Sequence, residues 1–182
     1  MTSSGFDRAP LVETDRLRLR AHSVSDLPFC AAMWRDPDVI RFIGGKPFTR
    51  EEVWARMMRY AGMWVMMGHG FWAVEEKASG RLIGEVGIME ARRDMAPSFE
   101  GESEVGWAFV PTAQGRGYAT EAVGAALSWA DKILDAPKQV CIIDPGNAAS
   151  IRLANKYGFR ERVRTTYHGG PTIQFERNRY GK

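Results

Sequence analysis

The chain has 182 residues, of which 45% are apolar and 26% charged, and its formal net charge is +3 at pH 7. This length and composition are those of one ordinary globular domain that can bury a sizeable core. The balanced charge forms no basic stripe, so we expect no nucleic-acid partner.

The amino terminus and the cysteines bear on the cellular compartment. The first residues are small and polar, so we expect a flexible tail over residues 1–10 without a secretory signal, then one domain over residues 11–182. No apolar run is long enough to cross a membrane. Cys30 and Cys141 lie in apolar surroundings without metal or redox spacing, and the three histidines are scattered. We therefore expect reduced core thiols, no metal and a cytoplasmic protein.

Hydrophobic periodicity and capping residues predict the regular elements. Thr49 and Glu52 form a capping-box pattern that opens a helix rich in Met and Trp, expected to supply a core face or the wall of an acceptor pocket. The predicted elements are strand 17–20, helices 25–35 and 49–67, strands 71–76, 82–89 and 103–110, helix 119–134, strand 140–143, helix 147–157 and strands 163–168 and 172–176.

The order of these elements predicts a mixed α/β (α+β) fold. Neighbouring strands joined by short turns should pair antiparallel, whereas strands 103–110 and 140–143 are separated by a helix and should run parallel. We expect a single mixed, mostly antiparallel sheet of six to seven strands with about four helices, placed on both faces.

The most informative segment is a glycine-rich turn between strand 103–110 and helix 119–134. Its glycines let the backbone turn tightly at the start of a helix, where the first N–H groups have no intrahelical partner and the helix dipole adds positive charge. The turn is therefore a candidate cradle for a phosphate or diphosphate. Its sequence is Gln114-Gly115-Arg116-Gly117-Tyr118-Ala119-Thr120.

Three nucleotide-like ligands compete for this turn. A dinucleotide site needs the pattern G-x-G-x-x-G, but Thr120 stands where the third glycine belongs, although Asp144 does end the next strand. A nucleoside triphosphate loop needs G-x-x-x-x-G-K-S/T, and the sequence has no such string. The third candidate is coenzyme A.

Four ordered segments of the chain resemble the GNAT superfamily of acyl-CoA-dependent N-acyltransferases. Gln114-x-x-Gly117-x-Ala119 matches the superfamily's diphosphate motif Q/R-x-x-G-x-G/A. Together with this motif, segments 13–20, 104–122 and 147–159 are similar to the branch that includes the RimJ/RimL-type ribosomal-protein N-terminal acetyltransferases. The resemblance extends over residues 11–175, which is nearly the whole chain.

The resemblance implies a GNAT-like fold and acetyl-CoA as cosubstrate, without a metal. In this superfamily the pantetheine arm lies between two strands that splay apart. On strand 103–110 the alternation places Glu104, Gly106 and Ala108 on one face, where small residues leave room for the arm or for a closely packed helix. The implied cofactor-binding residues are Ala108, Phe109, Val110, Gln114, Gly115, Arg116, Gly117, Tyr118, Ala119, Thr120, Asn147 and Ser150.

The implied chemistry is direct acyl transfer from a CoA thioester to an amine in a ternary complex. We expect Glu104 to act as the base that deprotonates the amine, directly or through water, with Glu85 and Glu121 as weaker candidates. Backbone N–H groups around Phe109 and Val110 are the expected donors to the oxyanion. Many members place a tyrosine where this chain has Ala154, so we expect Ser150 to be the acid, if a dedicated acid is needed.

The prediction is therefore an acetyl-CoA-dependent N-acetyltransferase whose acceptor is a protein N-terminus or a small-molecule amine. A non-catalytic acyl-CoA-binding module is the alternative from another class, and an NAD-binding oxidoreductase is a third. Acetyl-CoA and the amine are the expected partners, without nucleic acid or membrane. Dimers are common in this branch, which makes a homodimer the assembly to test.

Overall fold

Eight strands form one sheet in the computed structural model, which describes residues 8–179. Five α-helices accompany the sheet, and this mixed α/β architecture confirms the predicted fold class. The elements are β1 (Val12–Glu13), β2 (Leu17–Arg20), α1 (Leu27–Met33), α2 (Pro37–Ile40), α3 (Arg50–Met67), β3 (Phe71–Glu76), β4 (Arg81–Met89), β5 (Ser103–Phe109), α4 (Tyr118–Ile133), β6 (Lys138–Ile143), α5 (Ala148–Lys156), β7 (Arg160–Tyr167) and β8 (Gly170–Asn178).

Two short elements exceed the predicted number. β1 has only two residues, which is too short for a periodic pattern to reveal. The second is α2, a short helix directly after the predicted helix 25–35: the Asp36 side chain accepts from the Asp38 N–H, and Pro37 occupies the first helical position. The capping box before α3 is confirmed, since Thr49 and Glu52 hydrogen-bond to each other's backbone N–H groups.

The strand order is β1-β2-β3-β4-β5-β6-β8-β7, and every neighbouring pair is antiparallel except β5 and β6. As predicted, β5 and β6 run parallel. They pair only at their first residues, Ser103 with Gln139 and Glu104 with Val140. Beyond this point the two strands have no further ladder pairs, so a gap opens beside the second half of β5.

Helices cover both faces of the sheet. On one side, which we call the α4 face, Val86, Ile88 and Val105 pack in a core with Ala122 and Val123 of α4. On the other side, the α1 face, Ala108 packs in a second cluster formed by α1, α2 and the first half of α3. The gap between β5 and β6 therefore lies between the α4 face and the α1 face, which are covered by different helices.

Burial bears on the two cysteines and on the first described residues. Cys30 and Cys141 are both buried free thiols, as expected. Ala9 is buried in the core and the Pro10 carbonyl accepts from the Trp72 indole at 2.8 Å, so the packed chain begins before the predicted end of the tail. Residues 1–7 of that tail lie outside the described residues.

Helix α3 divides its apolar side chains between core and solvent. Val53, Met57, Tyr60 and Trp64 are buried, whereas Met66 is 83% exposed. Part of the Met- and Trp-rich pattern is therefore a core face. Within residues 8–179, none of the helices combines the length and apolarity needed to cross a bilayer.

Candidate active site

The turn before α4 has the backbone geometry expected of an anion cradle. Gly115 and Gly117 adopt the left-handed conformation, with φ of +72° and +79°. Gly117 is the N-cap of α4, and within residues 8–179 no side chain caps this helix. Its first backbone hydrogen bond runs from the Glu121 N–H to the Gly117 carbonyl at 3.1 Å. The N–H groups of the first helical residues therefore remain free for a ligand.

Two of the predicted ligand side chains, Arg116 and Tyr118, hydrogen-bond to Glu76 beside the turn. Tyr118 is buried and donates its hydroxyl to Glu76, and its ring lies 4.7 Å from the Arg116 guanidinium. Arg116 itself donates to Glu76 at 3.2 Å, but its side chain is 55% exposed. Tyr118 can therefore offer a ligand only its backbone N–H, while Arg116 is free to exchange Glu76 for a phosphate oxygen.

The β5 backbone next to the gap has free hydrogen-bonding groups. The Val110 N–H donates to the Ile83 carbonyl at 3.0 Å, so it is not available as an oxyanion donor, contrary to the expectation. Antiparallel strands alternate between residues that bond to the partner and residues that face away from it. Because Ala108 and Val110 face β4, the N–H groups of Trp107 and Phe109 face the gap.

The small residues of β5 do not leave open space on the α1 face. A β-carbon on Gly106 would lie 2.7 Å from the Phe71 ring, and Ala108 is buried against α1. The expected packing by a helix is therefore found at Ala108, whereas at Gly106 the close neighbour is Phe71 of strand β3. An extended arm would therefore lie in the gap between β5 and β6 and not on the Gly106 side of β5.

Helix α5 places two predicted residues beside this gap. Asn147 caps α5, accepting from the Ser150 N–H at 3.1 Å. The Ser150 hydroxyl oxygen accepts from the Trp107 indole N–H at 3.2 Å, which connects α5 to β5. Tyr157, on the same helix face, donates to the Thr120 carbonyl at 2.5 Å and so lacks a free proton for catalysis.

Glu104 lies at the closed end of the gap in a buried ion pair. Its side chain is 2% exposed, and both carboxylate oxygens accept from Arg93, at 2.7 and 2.8 Å. Arg93 also donates to the Tyr167 hydroxyl at 3.1 Å. The predicted base is thus on the α1 face as expected, but it is held by a cation that the sequence pattern did not reveal.

A second ionised cluster surrounds Glu85, which lies opposite Ala108 in the β4–β5 ladder. Glu85 accepts from the Tyr60 hydroxyl at 2.5 Å and from Arg56 and Trp34 at 3.4 Å each. Burial raises the pKa of Glu85, but the nearby His22 imidazole and the Arg56 charge outweigh it, and the pKa lies below its usual value. Burial and the Glu85 charge raise the pKa of Tyr60 well above its usual value.

The same cluster contains ligand types that zinc takes. His22, Cys30 and Glu85 offer ligand atoms within 4.8 Å of one another, and in the described part of the chain neither His22 nitrogen has a hydrogen-bond partner. However, Arg56 already neutralises Glu85. Burial and the Glu85 charge also raise the pKa of the Cys30 thiol to about 12. A dication would have to displace that proton beside a fixed positive charge, so we assign no metal here.

The structure therefore brings the 114–120 turn, Trp107, Phe109 and Ser150 around the mouth of one gap, and it places Glu104 at the far end. Sequence reasoning missed Arg93, and it gave Trp107 no role in the site. Arg93 lies in a polar loop whose path no periodicity predicts. Trp107 could have been suspected from its position two residues before Phe109 on the cofactor strand.

The geometry of the site and a match between the sequence and a family model identify the family. Residues 16–160 match the model of the acetyltransferase (GNAT) domain. The chain therefore belongs to the GNAT acetyltransferase family, and it is an N-acetyltransferase. Members of this family use acetyl-CoA as acyl donor.

Several known proteins are similar over nearly their full lengths. The uncharacterized Bacillus subtilis protein YkkB is 32% identical over 171 residues, which cover 92% of this chain and 95% of that protein. A GnaT-family acetyltransferase from Bordetella pertussis superposes with a TM-score of 0.83 at 32% identity, covering 93% of this chain and 99% of that one. Spermidine N-acetyltransferase from Vibrio cholerae, solved with CoA and spermine, shares the fold with a TM-score of 0.71 at 19% identity, covering 91% and 97%.

Proposed function

We propose that this acetyltransferase binds acetyl-CoA with its diphosphate on the 114–120 turn and its pantetheine arm between β5 and β6. The acetyl group is transferred to a primary amine, either a protein N-terminus or a small-molecule amine. The observation that carries the proposal is the divergence of β5 from β6 beside a helix N-terminus whose N–H groups are free. The extended pantetheine arm would fit the gap, and the anionic diphosphate would bind the free N–H groups of the turn.

Direct transfer is favoured because neither cysteine is suited to form an acyl-enzyme. Burial and the Glu85 charge raise the pKa of Cys30 to about 12, and burial raises the pKa of Cys141 well above its usual value. A thiol acts as a nucleophile through its thiolate, so both groups are poor nucleophiles at neutral pH. The amine must then attack the thioester itself, in a ternary complex.

The backbone of β5 would stabilise the oxyanion. The N–H groups of Trp107 and Phe109 face the gap, and donors of this kind act on the charge that develops during attack. Ser150 would protonate the departing thiolate. Its oxygen already accepts from the Trp107 indole, which leaves its own hydrogen free to donate.

Glu104 would receive the amine proton through water. Its ion pair with Arg93 extends to the partly exposed Tyr167 hydroxyl, which gives the buried carboxylate a polar connection toward the surface. Glu104 lies on β5, the strand that borders the gap, whereas Glu85 lies on β4, one strand further from the gap. Glu104 is therefore the better candidate of the two.

Three finer assignments belong to the same proposal. The ordered segments quoted above support the RimJ/RimL-type branch. That resemblance also motivates a cytoplasmic location and a homodimer. Sedimentation of the purified protein tests the homodimer, and a single species at the monomer mass would exclude it.

A ligand and turnover comparison tests the function. Thermal stabilisation is measured with acetyl-CoA and with NAD, and free thiol release is then followed with a peptide N-terminus, a polyamine and single amino acids as acceptors. We expect stabilisation by acetyl-CoA alone and thiol release with at least one amine. Stabilisation without thiol release from any amine would identify a binding module, and stabilisation by NAD alone would identify an oxidoreductase.

A further inference from the structure

The segment before β2 is hydrogen-bonded to the 114–120 turn and to Glu121, at sequence separations of 100 to 107 residues. Arg16 donates from Nη1 to the Arg116 carbonyl at 2.9 Å and from Nε to Glu121 at 2.7 Å. The other Glu121 oxygen accepts from the Arg16 backbone N–H at 2.9 Å and from the Thr14 hydroxyl at 2.6 Å. One carboxylate on the first turn of α4 thus holds Thr14 and Arg16 against the turn.

The hydrogen bond to the Arg116 carbonyl fixes the direction of the next amide. A trans peptide is planar, and its C=O and N–H point in opposite directions. Because the Arg116 carbonyl points at Arg16, the Gly117 N–H points away from Arg16. A β-carbon on Gly117 would lie 3.4 Å from Arg16 Nη2, which places the guanidinium directly behind the turn.

The charge of Arg16 is largely balanced within this network. Burial raises the pKa of Glu121, but its hydrogen bonds from Thr14 and Arg16 outweigh this effect and the pKa lies below its usual value. The carboxylate is therefore ionised at neutral pH and neutralises the guanidinium beside it. Arg16 therefore acts on the turn mainly by fixing the orientation of the Arg116–Gly117 peptide, and it adds little net positive charge.

We propose that Arg16 is a positioning residue for the CoA diphosphate, holding the Arg116–Gly117 peptide so that the Gly117 N–H faces the ligand. This inference rests on the proposed binding of acetyl-CoA at the turn. It also gives the 13–20 segment, which lies far from the turn in sequence, a role in cofactor binding. Free turns sample several peptide orientations, so losing this contact should weaken binding without removing it.

The test compares Arg16→Gln with Arg18→Gln, a matched arginine that is also paired with carboxylates, Glu13 and Glu75. Calorimetry measures the Kd of each variant for CoA and for 3′-dephospho-CoA, and thermal melting measures stability. We expect Arg16→Gln to weaken both ligands about 10-fold, equivalent to about 1.4 kcal/mol. Arg18→Gln should remain within about twofold of the wild type, and Arg16→Lys, which can still donate to the carbonyl, should recover part of the affinity.

The remaining outcomes separate the explanations. A loss with CoA but not with 3′-dephospho-CoA would make Arg16 a direct ligand of the 3′-phosphate and overturn the proposal. A lower melting temperature with an unchanged Kd would reduce Arg16 to a structural residue and also overturn it. If the wild-type protein bound neither ligand, the proposed function itself would fail, a result distinct from both. In steady-state assays the KM for acetyl-CoA should rise more than kcat falls.

Discussion

The two sides of the β5–β6 gap are built in different ways. On the α4 side, the 114–120 turn exposes backbone N–H groups that nothing in residues 8–179 caps with a side chain. On the α1 side, every ionised group of the two buried clusters is already paired, Glu104 with Arg93 and Glu85 with Arg56. The first region is prepared for an anion that comes from outside. The second must exchange its own contacts before an amine or a water molecule can use a carboxylate.

The largest expected effect comes from blocking the turn. Gly117→Glu places a side chain at φ +79°, a conformation that costs about 1–3 kcal/mol, and it adds a negative charge where the diphosphate would bind. We expect acetyl-CoA binding to weaken beyond calorimetric detection. Gly169→Glu is the matched control, because Gly169 has the same φ of +79° in the β7–β8 hairpin. Wild-type affinity in Gly117→Glu would remove the turn from the binding site.

On the α1 side, removing the Glu85 carboxylate should mainly lower the free energy of unfolding. Removing one partner of a buried ion pair costs about 3–5 kcal/mol, so Glu85→Gln, which leaves Arg56 unpaired, should lower the free energy of unfolding by about 3 kcal/mol. Urea unfolding at pH 7 measures the change. Glu100→Gln, at an exposed position, should change stability by less than about 0.5 kcal/mol. An equally small effect of Glu85→Gln would show that the cluster is not an ionised pair.

The same cluster predicts how stability depends on pH. The folded-state pKa of Glu85 is below its usual value, so its contribution is fully present above the unfolded-state pKa of about 4.3 and is lost as pH falls through the folded value. The free energy of unfolding of the wild type should therefore decrease as the pH is lowered below about 4.3, because carboxylates of the unfolded state take up protons first. Glu85→Gln should show a shallower decline over that range. An identical decline in both proteins would contradict the assignment.

Glu104→Gln should lower turnover rather than cofactor binding. We expect kcat at pH 7 to fall by about 100-fold, the scale of general-base catalysis. The loss should be smaller at pH 9, where a free amine with a pKa of about 8 has already lost its proton. Glu102→Gln is the control. Glu102 lies two residues before Glu104, and its carboxylate is paired with Arg162. A pH–rate profile identical to the wild type would exclude Glu104 as the base.

Ser150→Ala should have the smallest effect on catalysis. A thiolate is a good leaving group, so we expect kcat to fall by only about 3- to 10-fold, below the roughly 100-fold or more that is typical of acid catalysis. Ser128→Ala, on the exposed side of α4, is the matched control. No change in kcat would mean that the thiolate leaves without a protein acid.

The sequence could predict features that depend on neighbouring residues better than contacts between distant elements. The turn and the Asn147 cap depend on residues close in sequence, and their geometry follows from local backbone rules. The parallel direction of β5 and β6 follows from the single helix, α4, that connects them. The partners of Glu104, Glu85 and Glu121 could not be predicted, because Arg93, Arg56 and Arg16 reach them from other elements. The packing of Phe71 over Gly106 also depends on tertiary register, which alternation along one strand does not determine.

Titration of isotopically labelled protein with CoA, followed by backbone amide NMR, locates the binding site most directly. We expect the largest chemical-shift changes at residues 115–120 and at Trp107 and Phe109, with little change at Val53 and Met57 on the α1 face. Largest changes on the α1 face, with the turn unaffected, would contradict it.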